Sequence, residues 1–84
     1  MDLGILVSSI AAILTTGAFV PQALHIIRYK ETRAISLQMY VAFATGVAFW
    51  LLFGFMIWNW PMIVANTITL ALALTILRMK LKYG

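Results

Sequence analysis

Two side chains in this sequence are suited to holding a neutral, hydroxylated ligand. Asn66 carries an amide that donates and accepts hydrogen bonds, and Trp50 carries a flat aromatic face. A sugar calls for that pairing, because its hydroxyls need polar partners while its ring face stacks on an apolar plane. The residues also admit plainer readings. Asn66 can serve as an interhelical hydrogen bond, and Trp50 can pack or face lipid.

The titratable residues are too few for catalysis. Asp2 and Glu31 are the only acids, both lie at the edges of apolar runs, and His25 is the only histidine. There is no cysteine. No acid pair, nucleophilic triad or metal-ligand cluster can be assembled, so the expectation is neither an enzyme nor a cofactor-binding protein. Proton-driven transport ordinarily places an ionisable residue within the membrane. None is available here, which points to passive, equilibrative transport.

Three further sets of residues bear on conformation. Pro21 has no amide proton, so the carbonyl of Gly17 loses its helical partner, and the spacing predicts a kink there, as a static bend or as a hinge. Gln22 beside it needs partners in hydrocarbon and is expected to bond freed carbonyls or a neighbouring helix. Gly46 and Gly54 flank Trp50 at helical spacing, as residues that let backbones approach closely, and Met39, Phe43 and Phe53 fall on a compatible helical surface, with core packing as the alternative. The hydroxyls of Ser8, Ser9, Thr15, Thr16, Thr67, Thr69 and Thr75 can all bond their own helix backbones and specify little.

The elements that must position these residues follow from the charges. The chain has 84 residues, is 64% hydrophobic and 10% charged, and has a mean hydropathy of +1.03. A soluble protein of this size buries only ~60% of the surface its unfolded chain exposes, too little to hide so much apolar area. No Asp, Glu, Lys or Arg lies between Asp2 and Arg28, and none between Arg33 and Arg78. A membrane-spanning helix takes ~20 apolar residues, so the first gap holds one helix and the second holds two.

The expected fold is therefore an all-α membrane protein, one domain over residues 1–84, with helices at about 3–27, 36–57 and 61–77. Ser36 reads as the N-cap of the second helix, and Pro61 as the first residue of the third. Arg28–Arg33 reads as a polar loop, Trp58–Pro61 as the next turn, and Arg78–Gly84 as a short basic tail. At ~1.5 Å per residue, Trp50 and Asn66 then lie at similar depths on adjacent helices.

All six basic residues, Arg28, Lys30, Arg33, Arg78, Lys80 and Lys82, fall at one end of such a bundle. The positive-inside rule puts that end in the cytoplasm and the N-terminus outside. Trp58 and Trp60 belong at the outer interface, and Tyr29, Tyr40 and Tyr83 near the inner one. The net charge of +4 is thus read as topology-setting, with the lipid bilayer rather than nucleic acid as the partner. A cleavable signal peptide is not expected, since the first apolar run is long and no basic segment precedes it.

Pro21-Gln22 near the end of the first helix is the dipeptide that names the PQ-loop transporters. The chain resembles the bacterial SemiSWEET sugar transporters within that group over nearly all its length. The resemblance is carried by Ala18-Phe19-Val20-Pro21-Gln22, the loop Thr32-Arg33-Ala34-Ile35-Ser36, Met39-Tyr40 leading through Thr45-Gly46-Val47 to Trp50, and Ala65-Asn66-Thr67. It implies a facilitative sugar uniporter of the bacterial inner membrane, a parallel homodimer with one central pathway working by alternating access. It further implies Trp50 and Asn66 as the substrate pocket, Pro21 as the hinge, Met39 and Phe43 as the cytoplasmic constriction, and Phe53 as the outer-gate aromatic. Some relatives carry Arg and Asp near the outer turn where this chain has Ile57 and Asn59, which implies that the outer gate here closes by aromatic packing.

Physical reasoning reaches the dimer separately. Three packed helices leave no lumen for a monosaccharide, and two chains with the same charge-set topology must share a two-fold axis along the membrane normal. Two alternatives remain open. One is a PQ-loop carrier of another small solute, such as an amino acid, for which the pocket lacks a charged partner. The other is a structural membrane subunit without flux.

Overall fold

The computed structural model describes residues 2–84, which form three helices: α1 (Leu3–Tyr29), α2 (Leu37–Ile57) and α3 (Trp60–Tyr83). Each is long and apolar enough to cross a membrane. At ~1.5 Å per residue they exceed the ~30 Å hydrocarbon core.

Each helix starts on a side-chain cap. The Asp2 carboxylate accepts from the Ile5 amide at 2.8 Å, Ser36 Oγ from Met39 N at 3.2 Å, and Asn59 Oδ1 from Met62 N at 3.1 Å. Each cap satisfies an amide that the first turn leaves free. Helices α1 and α2 end on left-handed residues, Lys30 (φ 56°) and Trp58 (φ 53°). The amide of Trp58 turns back to the carbonyls of Gly54 and Phe55, and that of Asn59 to Gly54 at 2.9 Å. Glycine usually occupies such a position, since a side chain there meets the carbonyl that follows.

Two expectations need correction. Helix α3 continues well past Leu77 to Tyr83, so the basic segment is not a tail. Arg78, Met79, Lys80, Leu81 and Lys82 are all good helix formers, and the cations Lys80 and Lys82 in the last turn complement the helix dipole. The helix stops at Gly84, with φ 80°. Trp60, not Pro61, is its first residue, which moves proline to the second position, where its missing amide is equally harmless. Helix α1 runs through Pro21, within the expected span, because losing one rung of the ladder does not end a helix whose flanking residues are apolar and long.

In space α3 lies between α1 and α2. Both pack along it, and their backbones do not approach each other. The tightest packing is at the basic end, where Ala23, Tyr40, Ala44, Ala73 and Ile76 form the buried cluster, with Phe19, Ile26, Ile35 and Leu70 against it. Ala23 and Ala73 are fully covered, and side chains this small let α1 and α3 close on each other. Tyr40 is buried here as well. The loop between α1 and α2 is drawn into the same end. Thr32 is buried, its carbonyl accepts from Lys80 Nζ at 3.0 Å, and its hydroxyl donates to the Gly84 carbonyl at 3.4 Å.

The two glycines of α2 behave differently. A Cβ on Gly54 would lie 3.2 Å from Met62 Cγ, so this glycine does bring α2 against α3. Gly46 has nothing within 4 Å of its Cβ position and takes no part in packing within the chain.

Candidate functional site

Toward the other end of the bundle α1 and α2 part, and a cavity of about 570 Å³ opens between them with α3 as its floor. Ser8, Ala12, Thr15 and Phe19 line it from α1, Phe43, Val47 and Trp50 from α2, and Met62, Ala65, Asn66 and Thr69 from α3. On every helix these positions recur at three- and four-residue steps, so each helix contributes one face. Small residues on α1 and α3 make the room, and the aromatics of α2 form the opposite wall.

No charged residue lines the cavity. Its polar groups are hydroxyls, one amide and one indole. Ser8 Oγ donates to the Gly4 carbonyl at 2.7 Å, Thr15 Oγ1 to that of Ala11 at 2.9 Å, and Asn66 Nδ2 to that of Met62 at 2.8 Å. These bonds within each helix fix the side chains and use one donor apiece. Asn66 keeps its Oδ1 and its second N–H for a ligand, and the indole N–H of Trp50 is a further donor. Trp50 is 57% exposed and stands edge-on to Phe53, with ring centroids 6.1 Å apart and planes at 74°. It lines the cavity without being packed away.

The basic end of the cavity is closed by an aromatic pair. Phe19 and Phe43 meet across α1 and α2 with centroids 5.5 Å apart. The far end is held by a polar bridge. Asn59 Nδ2 donates to Ser8 Oγ at 3.1 Å, linking the α2–α3 turn to α1.

The structure thus brings Trp50, Asn66 and Phe43 around one space. Phe53 lies beside it, in a shallow concavity shared with Gly46, Phe49 and Trp50. Met39 is 52% exposed and does not reach the cavity. Pro21 and Gln22 are exposed on the flank of α1, next to His25 and Ile26. Gln22 makes no hydrogen bond to another helix among the described residues, so the interhelical tie expected of it is absent within the chain. A second groove, of about 280 Å³ beside Ile13, Thr16 and Val64, is almost wholly apolar and offers a hydroxylated ligand little.

Sequence reasoning assigns no site role to Ser8, Thr15, Phe19 and Thr69. Hydroxyls able to bond their own helix carry no signal by type alone. Ser8 and Thr15 do so, and all three hydroxyls still line the cavity. The available signal was their spacing, since Ser8, Thr15 and Phe19 fall on one face of α1.

Comparison with known proteins fixes the family. Residues 3–60 match the PQ loop repeat. The sugar transporter SemiSWEET of Leptospira biflexa is 42% identical over 79 residues, covering 94% of this chain and 93% of that protein. The chain belongs to the SemiSWEET family of sugar transporters. It is a multi-pass membrane protein of a transporter family, not an enzyme. Two solved members share its fold. The crystal structure of a bacterial homologue of SWEET transporters superposes with a TM-score of 0.81 at 42% identity, covering 99% of this chain and all of the other. That of SemiSWEET in the inward-open conformation superposes with a TM-score of 0.88 at 40% identity, covering 96% and 94%. The space between α1 and α2, with Trp50 and Asn66 in its walls, is therefore a feature of a SemiSWEET chain.

Proposed function

We propose that this SemiSWEET chain is a facilitative uniporter for a mono- or disaccharide, working by alternating access as a parallel homodimer. The observation that carries the reading is the cavity that Trp50 and Asn66 share, lined by hydroxyls and carrying no charge. Such a wall suits a neutral polyhydroxylated solute. It suits a zwitterionic amino acid poorly, because no ion pair is offered to either charged group.

Two chains are needed because one is open along its side. Met39, Phe43, Trp50 and Phe53 follow one stripe of α2 and are all substantially exposed in the single chain. A second copy facing this stripe encloses a pathway with two Trp50 and two Asn66 side chains. Met39 and Phe43 then form the cytoplasmic gate and Phe53 the outer one, while Pro21, followed by Gln22, serves as the hinge of α1. The six basic residues favour an inner-membrane orientation with the N-terminus outside and the C-terminus in the cytoplasm. The whole chain, residues 1–84, acts as one domain.

The test is uptake of a panel of labelled sugars and amino acids into liposomes carrying the purified protein. Flux of one or more sugars and none of the amino acids is the expected result. Amino-acid flux overturns the substrate class, and no flux of any solute favours a structural subunit.

A further inference from the structure

The basic end of the bundle holds a concavity unconnected with the solute cavity. It measures about 530 Å³ and is lined by Lys30, Glu31, Thr32, Arg33, Ala34 and Tyr83 with Gly84. We propose that it binds the phosphate headgroup of an anionic phospholipid in the leaflet at that end. The proposal rests on the membrane placement of the helices and not on which solute is carried.

The donors are arranged for a phosphate. Thr32–Ile35 is a turn closed by the Ile35 amide bonding the Thr32 carbonyl at 3.2 Å. The amides of Arg33 and Ala34 at its tip have no acceptor among the described residues, and successive free amides in a turn favour an anion. The Lys30 ammonium lies over the Tyr83 ring, 5.3 Å from its centroid, with that of Lys82 at 5.4 Å. The Arg33 guanidinium adds a planar fork that suits phosphate oxygens. The one acid of the rim, Glu31, is engaged by His25 Nε2 at 3.2 Å. Lys80 is occupied in holding the loop carbonyls and serves as scaffold.

Backbone strain points to the same lysine. Lys30 adopts the left-handed conformation at the C-terminus of α1, where glycine is the undemanding choice. A lysine held there is the kind of local cost that accompanies function. Depth selects the source of the phosphate. The concavity lies where the helices leave their apolar spans, and Leu37, Leu74 and Leu81, on the helical turns toward that end, are exposed and suited to acyl chains.

The probe is phosphatidylglycerol added to purified protein in detergent, with adducts counted by native mass spectrometry against phosphatidylcholine. The expected result is tighter retention of phosphatidylglycerol, weakened about tenfold or more in Lys30→Gln/Arg33→Gln, in line with the per-residue worth of basic groups at anionic membranes. Arg28→Gln/Arg78→Gln removes the same charge outside the concavity and keeps the preference. Equal loss in both double variants, or no preference in the natural protein, overturns the site. Displacement by millimolar inorganic phosphate overturns the lipid in favour of a soluble anion. Lys30→Gly guards against misfolding as an explanation. It relaxes the backbone, so thermal stability holds or rises while phosphatidylglycerol affinity falls, and unchanged affinity in this variant also overturns the proposal.

Discussion

Asn59 Nδ2 donates to Ser8 Oγ at 3.1 Å while Asn59 Oδ1 accepts from the Met62 amide at 3.1 Å, so one side chain both starts α3 and ties it to α1. Ser8 in turn donates to the Gly4 carbonyl at 2.7 Å, which leaves its lone pairs free for the asparagine. The two roles separate by substitution. Ser8→Ala loses the bridge and keeps the cap, whereas Asn59→Ala loses both. Removing the cap costs about 1 kcal/mol. Thermal unfolding in detergent should therefore rank the natural protein first, Ser8→Ala next and Asn59→Ala last. Ser8→Ala should add little on the Asn59→Ala background, where the bridge is already gone. If Ser8→Ala is as costly on that background as alone, the bridge contributes nothing.

Trp50→Ala and Asn66→Ala should each abolish sugar flux while the proposed dimer stays intact. Asn66 bonds only within its own helix, and Trp50 is more than half exposed, so neither holds the bundle together. Flux into liposomes and gel filtration of the same preparations check the pair of outcomes. Normal flux in either variant removes that residue from the site. Loss of the dimer in both gives them an assembly role instead.

Transport should only equilibrate its solute. The cavity contains no titratable group, and the contact of His25 with Glu31 is exposed and takes no part in its lining. Uptake with and without an imposed pH difference is the measurement. Accumulation above the external concentration, driven by the gradient, would contradict the reading.

Pro21 tests whether α1 flexes. Replacing it by Ala restores an amide able to reach the Gly17 carbonyl, and helix stability should rise, since interior proline costs about 3 kcal/mol. Flux should fall, because the hinge is lost. Glycine restores the amide but leaves the backbone loose, so the expected order of flux is Pro21, then Pro21→Gly, then Pro21→Ala, at equal amounts of dimer. Equal flux from all three would make Pro21 a passive feature of a continuous helix.

What could be read from the sequence divides along a physical line. The three spans were legible because charge is expelled from hydrocarbon, and the gaps from Asp2 to Arg28 and from Arg33 to Arg78 record that directly. Ser36 was legible as a cap because its role is local. The spatial order, with α3 in the middle, was not. Helices apolar on all sides carry almost no periodic signal of which face meets which neighbour. For the same reason Gly46 and Gly54 looked alike, although only Gly54 touches Met62. Asn59 was noticed as a departure from relatives, but its partner Ser8 is 51 residues away, beyond any local pattern. The end of α3 was misplaced because a run of cations reads as tail, whereas Lys80 grips the loop carbonyls of Thr32 and Arg33.

The central place of α3 also orders the birth of the molecule. A ribosome delivers α1 and α2 first, yet these two helices make no backbone approach to each other and meet only through side chains such as Phe19 and Phe43 until the last helix arrives. The earliest stable unit is then the hairpin of α2 and α3, closed through Gly54 and Met62 and turned by Asn59, with α1 docking afterwards by way of Ala23 and Ala73. A nascent chain halted after Ile57 should hold two inserted but loosely associated segments, open to lipid and to quality-control proteases. Full protection should come only once Ile76, in the final turns of α3, has reached the membrane.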